Sequence, residues 1–356
     1  MALYQHNKDG YNTLKEYTAR ISDIFGERQT AIELFSRPAA HDDFMPFFSA
    51  CYRDASVDWR LREIIEREWH LLLDSPATLS LVVEDRQRPA NSRLIGCAQL
   101  GFVTKGFMRL THDAPEPWVN ARVARPLPSG ASPLLAPCQI AHANATTGLS
   151  ALFTRWHRAD RLLTVEGLLE TGLFLHDAFQ AYSRGYQFRE LLVEATGASA
   201  RDQALRAGFS LRCDYEAFYR EIPPLPPLTL RPYLMGVTRE EALLKDGCLM
   251  SYYFVHRKPR LDLTTSQQEL LQLCLRKPDL SEGGLAEELG VPLHRVKNLL
   301  KAAYQRTACT SVDLLPDVGE HGRGQEKKRR LLLYLSKHPE ELRPYQRRGV
   351  AEDSGK

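Results

Sequence analysis

At 356 residues the chain exceeds a typical single domain, so two domains are expected. Hydrophobic residues at 43%, charged residues at 26% and a formal net charge of +3 exclude wholesale disorder and a uniformly basic nucleic-acid coat. The first ten residues lack a basic-then-apolar signal pattern, no apolar run approaches membrane-spanning length, and the seven cysteines form no Cys-x-x-Cys or Cys/His cluster. These features predict a soluble, cytoplasmic protein with reduced thiols, no metal, no cofactor and no membrane contact.

Taken in chain order, Trp59, Ile64, Ile65 and Trp69 space an apolar stripe along one helix. Residues 79–85 and 94–103 read as strands joined by a polar turn holding Pro89, Asn91 and Ser92. Residues 115–137, rich in proline and small side chains, read as a long surface loop. Trp156, His157 and Arg158 suit either a pocket wall or an amphipathic helix, and His142, His157 and His176 stand isolated. A helix over 170–184 ends near Gly185, followed by a strand at 191–195, a helix over 200–206 and a final strand over 210–219.

The prolines at 223, 224, 226 and 227 predict a boundary, since consecutive prolines fix φ and remove amide donors. Residues 1–222 then form one domain and 223–262 a proline-rich linker with a connecting helix over 239–245. A helical domain occupies 263–318 and a basic helix and tail 319–356. Helices are expected at 266–275, 281–289, 292–306 and 325–338.

Residues 281–301 carry the strongest signal. Leu285, Ala286 and Leu289 make an apolar face, Gly290 suits a left-handed helix end, and Pro292 suits the next first turn. Val296, Leu299, Leu300 and Ala303 point inward at helical spacing. The opposite face carries His294, Arg295, Lys297, Asn298, Lys301 and Gln305, with no acid from 292 to 306. A second helix inserted in a DNA major groove has this character, since Arg and Lys contact phosphate or guanine and Asn reads adenine. Lys327, Lys328, Arg329 and Arg330 are further phosphate-contact candidates.

Leu263-Thr264, Glu269-Leu270-Leu271, the run from Leu285 to Val291 and Val296-Lys297 resemble the C-terminal domain of the LuxR/NarL family. Gln267, Gly284 and Leu299 depart from its pattern, and region 4 of sigma factors shares the helix arrangement. The resemblance implies duplex DNA as partner, groove-facing Lys297, Asn298 and Lys301, and a homodimer formed through the helix at about 311–315.

Residues 191–219, with Ala207-Gly208-Phe209 between helix and strand, resemble the closing unit of the GNAT acyltransferase fold, and the 79–102 hairpin fits that fold's central sheet. Two departures argue against its chemistry. Residues 165–173 hold Gly167 and Gly172 at the wrong spacing for a diphosphate loop, with Glu166 and Glu170 where phosphates would approach. Ala204 stands where many members have a tyrosine acid.

The expected fold is therefore an α+β domain, a GNAT-like mixed sheet flanked by helices, followed by an all-α helix-turn-helix domain. The expected function is a sequence-specific transcription regulator, not an enzyme, with a non-catalytic input domain and a small-molecule or acyl-CoA effector as a possible ligand. The alternative readings are a GNAT-type N-acyltransferase whose helix-turn-helix is a recruiting module, and a protein–protein adaptor.

Overall fold

A computed structural model of the chain describes residues 33–51, 59–159, 162–222, 224, 226–310 and 324–346. Seven strands form one sheet: β1 (Leu34–Pro38), β2 (Thr78–Asp85), β3 (Leu94–Phe102), β4 (Leu149–Arg158), β5 (Phe188–Thr196), β6 (Ser210–Cys213) and β7 (Pro232–Thr238). Their spatial order is β1-β2-β3-β4-β5-β7-β6. Every neighbouring pair is antiparallel except β4 and β5, which run parallel.

Both faces of the sheet are covered, which is why β3 is buried at every position and lacks clean alternation. On one face lies α6 (Val165–Ser183), the crossover between the parallel strands. Gly96 of β3 faces it, and a Cβ there would sit in ordinary contact with Thr171 Cγ2 at 3.7 Å but tight against Val83 Cβ at 3.3 Å. On the other face α1 (Phe44–Cys51) and α2 (Trp59–Leu73) bury Phe44, Phe47 and Trp69 against Val82, Leu94 and Cys97. Of the expected apolar stripe on α2, Ile64 and Ile65 are half-buried and Trp69 is fully buried. Between β3 and β4 the chain forms α3 (Lys105–Asp113), α4 (Val119–Arg122) and α5 (Pro137–Ala145).

Four expectations need correction. The proline run does not end the sheet, and 223–262 is not a linker: β7 inserts between β5 and β6, with Pro232 at the first position of a strand, where its missing N–H is tolerated. After α9 (Arg239–Leu244), a 3₁₀ turn at Leu249–Phe254 buries Met250, Tyr253 and Phe254 in the sheet's own core. Residues 115–137 are not a surface loop, since α4 lies there and Val119, Val123 and Leu134 are buried. Trp156, His157 and Arg158 belong to β4, not to a helix. The predicted strand over 210–219 is only four residues long; left-handed Tyr215 (φ 58°) then turns the chain into α8 (Glu216–Glu221).

After α7 (Ala198–Ala207) has bridged β5 and β6, the remaining helices build a separate all-α core. They are α10 (Thr265–Arg276), α11 (Glu282–Glu288), α12 (Leu293–Thr310) and α13 (Gly324–Lys337). Leu270, Leu271, Leu285, Val296, Leu300, Leu331 and Leu335 meet inside it. Thr264 caps α10 in a capping box with Gln267, and Gly290 at φ 62° closes α11. The two units are tied together. Asn144 Nδ2 donates to Pro344 O (2.8 Å) and Gly185 O (3.3 Å), and Arg184 pairs with buried Glu340 at 3.2 Å. The predicted dimer helix at 311–315 lies outside the described residues.

Candidate active site and basic helix

β4 and β5 pair only from Leu149 opposite Phe188 to Phe153 opposite Val193. Beyond that point β4 continues against β3 alone, and β5 against β7 alone, so the two parallel strands part and leave a cleft between them. A bulge marks the parting: the β3–β4 register slips between Gln99 and Leu100, with Thr154 as the extra residue on β4. The bulge is held by buried polar groups. Thr154 Oγ1 (3.0 Å) and Arg155 Nη1 (3.1 Å) both donate to Gln99 Oε1, and Gln99 Nε2 donates to Ser80 Oγ at 3.0 Å. Arg155 also faces Glu68 at 3.9 Å, whose carboxyl burial pushes upward.

Glu194 is the first β5 residue past the parting. Its half-buried side chain receives the Trp118 N–H at 2.8 Å and the Tyr215 hydroxyl at 3.0 Å, both on Oε1. Burial raises the Glu194 carboxyl to about 7, against hydrogen bonds from Val119, Tyr215 and Trp118 and the positive charge of Arg122. Trp118 (φ 64°) and Tyr215 (φ 58°) both hold left-handed backbones, uncommon for aromatic residues and costing roughly 1–2 kcal/mol each. The Tyr219 hydroxyl is buried without a hydrogen-bond partner, and its ionisation is disfavoured by burial and by the Glu194 charge. A carboxyl titrating near neutrality beside a strand cleft is suited to accept and return a proton.

The fold is a mixed seven-stranded sheet flanked by helices, as the residues at 79–102 and 191–219 lead one to expect. No protein-family model matches the chain, and no curated protein matches it. Solved structures resemble it at low identity. The C-terminal condensation domain of Ebony, in complex with beta-alanyl-dopamine, is 15% identical over 58% of this chain and 99% of that one, with a TM-score of 0.37. A chimera of the spermidine N-acetyltransferase SpeG from Vibrio cholerae and hSSAT is 13% identical over 60% and 99% of the two chains, at a TM-score of 0.34. SpeG from Vibrio cholerae in complex with manganese ions is 12% identical over 60% and 97%, at 0.32.

Two expectations are withdrawn on this finding. The solved structures that resemble the chain are acetyltransferases and a condensation domain, not transcription regulators, and the expectations of a LuxR-type regulator and of a non-enzyme are not carried further. The LuxR/NarL resemblance of residues 263–301 finds no counterpart among them, and the C-terminal unit stands as an all-α region.

At the start of α6 the Gly167 N–H is taken by the Thr164 hydroxyl at 3.2 Å, and Glu166 and Glu170 are exposed. Arg158 donates to Leu168 O at 3.1 Å and lies against Gly172, where a Cβ would meet its Nη1 at 2.8 Å. The described residues therefore do not fit the diphosphate of coenzyme A. Ala204 lies half-buried on α7, as expected, but Tyr215 and Tyr219 bring phenols to the cleft from a different element.

On the all-α unit, His294, Arg295, Lys297, Asn298, Lys301 and Gln305 are all exposed on α12, opposite buried Val296, Leu300, Ala303 and Thr307. The second cluster is less free. Arg329 and Arg330 both pair with Glu326 on their own helix, at 3.0 and 2.8 Å, and Lys327 and Lys328 are half-buried. Sequence reasoning missed Glu194. Its one local signal is an acid inside an apolar strand run, Leu191-Leu192-Val193-Glu194-Ala195, where charges are rarely placed without a partner.

Among the described residues no helix is long and apolar enough to cross a membrane.

Proposed function

We propose that the chain is a GNAT-type N-acyltransferase whose all-α unit is a helix-turn-helix that recruits it to duplex DNA. The observation that carries the first part is Glu194, a half-buried carboxyl raised to about 7 where β4 and β5 part. An amine acceptor arrives as its ammonium ion at neutral pH. Glu194 takes that proton, and the freed nitrogen attacks the carbonyl carbon of an acyl thioester. An N–C bond forms, the C–S bond breaks with its electron pair leaving on the sulfur, and the thiolate takes the second proton that the acylated nitrogen gives up. Trp118 and Tyr215 fix the carboxylate through Oε1 and so orient it for the transfer.

The second part is supported by the exposed basic face of α12, set against Glu282, Glu287 and Glu288 on α11. Lys297 and Lys301 suit phosphates, and Asn298 suits an adenine edge.

Thiol release from acetyl-CoA and from S-acetyl-N-acetylcysteamine, a thioester without a nucleotide, tests the chemistry on the full chain across a panel of amines. Amine-dependent release from the short thioester, reduced about 100-fold or more in Glu194→Gln, is the expected result. No amine-dependent release from either donor retires the acyltransferase reading.

A further inference from the structure

Two histidines meet just after β1. His41 opens a 3₁₀ turn (His41–Asp43), and His70 stands in the last turn of α2. The turn is held on the helix, since the Trp69 Nε1–H reaches Ala40 O at 3.4 Å and the Phe44 ring lies 6.2 Å from that of His70. Buried Asp43 accepts the Ala40 N–H at 2.7 Å and pairs with Arg37 at 2.6 Å, which fixes the turn from behind. The two histidine Nδ1 atoms lie 2.7 Å apart, with ring planes 19° from parallel and centroids 4.9 Å apart. The centroid separation exceeds the nitrogen separation by about two ring radii, so the rings meet edge to edge, nitrogen aimed at nitrogen.

One proton lies between them, and the carboxylates decide which ring supplies it. Asp74 Oδ1 stands 3.0 Å from His41 Nε2, and a carboxylate only accepts, so His41 carries its hydrogen on Nε2. In the neutral pair His41 Nδ1 is then the acceptor and His70 Nδ1–H the donor. That leaves His70 Nε2 with a bare lone pair facing Glu66 Oε1, one helical turn earlier, at 4.0 Å. Two acceptors oppose each other there, at a separation that no hydrogen bond closes. Arg62, a further turn back, is directed to Met45 Sδ at 3.1 Å.

A cation resolves the opposition. Zinc binds imidazole nitrogen at about 2.0–2.1 Å and carboxylate oxygen at about 2.0–2.2 Å, so an ion between His70 Nε2 and Glu66 Oε1 is in bonding range of both. Each side chain is 38% exposed, which leaves room to bend toward a tetrahedral angle. A ligating histidine commonly donates its other ring N–H to an acceptor that fixes its tautomer and orientation. The chain from His70 through His41 to Asp74 supplies that support, which an ordinary exposed ion pair does not need. Among the described residues no three His, Cys, Asp or Glu side chains are grouped to hold a metal, so water takes the remaining positions.

The geometry points to a divalent metal site of the zinc class on α2, held by His70 Nε2 and Glu66 Oε1, with His41 and Asp74 as positioning residues. It depends neither on Glu194 nor on acyl transfer.

Calorimetric titration of the chelator-stripped full chain with zinc tests it. Zinc should bind saturably, and His70→Gln and Glu66→Gln should each weaken that binding by about 10-fold or more, with circular dichroism melts confirming that both variants fold. His41→Phe should weaken it by about 10–100-fold, although that ring touches no metal. His41→Asn, whose amide oxygen can take the His70 Nδ1–H, should recover most of the affinity. In nitrogen-15 spectra of the histidines, zinc should shift His70 Nε2 and leave its Nδ1 protonated. No saturable binding, or binding that survives either His70→Gln or Glu66→Gln, overturns the metal site. Equal affinity in His41→Phe and His41→Asn overturns the positioning role of His41.

Discussion

The Tyr215 hydroxyl donates to Glu194 Oε1 at 3.0 Å from a residue whose backbone is left-handed, at φ 58°. A tyrosine is held in that conformation only when the surroundings over-determine it. Here the phenol is buried among the ends of β5, β6 and α8, and the turn that aims it also begins α8. Trp118 repeats the arrangement from the opposite element, with its amide on the same oxygen at 2.8 Å. Backbone strain at two residues is thus spent on orienting one carboxylate.

Tyr215→Phe should move the base. The hydroxyl lowers the Glu194 carboxyl, so its removal raises a value already near 7. A hydrogen bond to a charged group is worth about 1.5–3 kcal/mol, or roughly one to two pH units. The midpoint of a kcat/KM–pH profile should climb accordingly, and an unmoved midpoint would remove Tyr215 from the base's environment.

Glu194→Gln should stabilise the fold at high pH only. The folded carboxyl, raised from 4.5 to about 7, binds its proton more tightly than the unfolded one. Its favourable contribution is present at low pH and is lost as pH rises from 4.5 through about 7. With the group partly exposed to solvent, removing the buried charge should gain about 1–2 kcal/mol at pH 8.5 and little at pH 5. Thermal melts at the two pH values read the difference.

Acid should destabilise the protein through His157 and His176. Burial lowers both to about 4, with Arg155 adding to the effect at His157. Keeping them neutral costs nothing above the unfolded value of 6.5, and the stability they permit is lost as pH falls from 6.5 toward 4. By pH 5 each should cost about 2 kcal/mol. His157 packs edge-on against Phe47 at 5.8 Å, so His157→Phe is the informative variant. Its urea midpoint should fall less between pH 7 and pH 5 than that of the parent.

Asn144→Ala should loosen the all-α unit from the sheet. The side chain is fully buried, donates to Gly185 O and Pro344 O, and accepts the Gln187 N–H at 2.6 Å. Three backbone groups would lose their partner, at about 1–3 kcal/mol for each that water does not reach. Limited proteolysis should then cut near residues 338–346 faster than in the parent, and an unchanged digestion pattern would contradict the coupling.

Lys297→Ala with Lys301→Ala should weaken DNA binding evenly across sequences and reduce the salt slope by about 1.8. Asn298→Ala should instead flatten preference at one base pair, by about 1–3 kcal/mol. Fluorescence titrations on duplexes at several salt concentrations separate the two effects. Full binding by the triple variant would remove α12 as the contact surface.

Much of the all-α unit was legible because its signals are local. Thr264 and Gln267 cap α10 within one turn, Gly290 ends α11 at a left-handed angle, and the buried stripe of α12 follows helical spacing. The β2–β3 hairpin was legible for the same reason, through two apolar runs around a polar turn. β4 was not. Buried from Leu149 to Arg155 without alternation, it carries no period of its own, and its direction is set by pairing with β3 on one side and β5 on the other. β7 was hidden behind prolines that look like an ending, and only its two partners show that the sheet continues.

The sequence alone determined the helices of the all-α unit, which face of α12 meets solvent, and that an acid sits within an apolar strand. Tertiary structure decided what that acid does. The neighbours that raise and orient Glu194 come from positions 76 residues before it and 21 after it. A carboxyl's proton affinity depends on the solvent and charges within a few ångströms, whatever their distance along the chain.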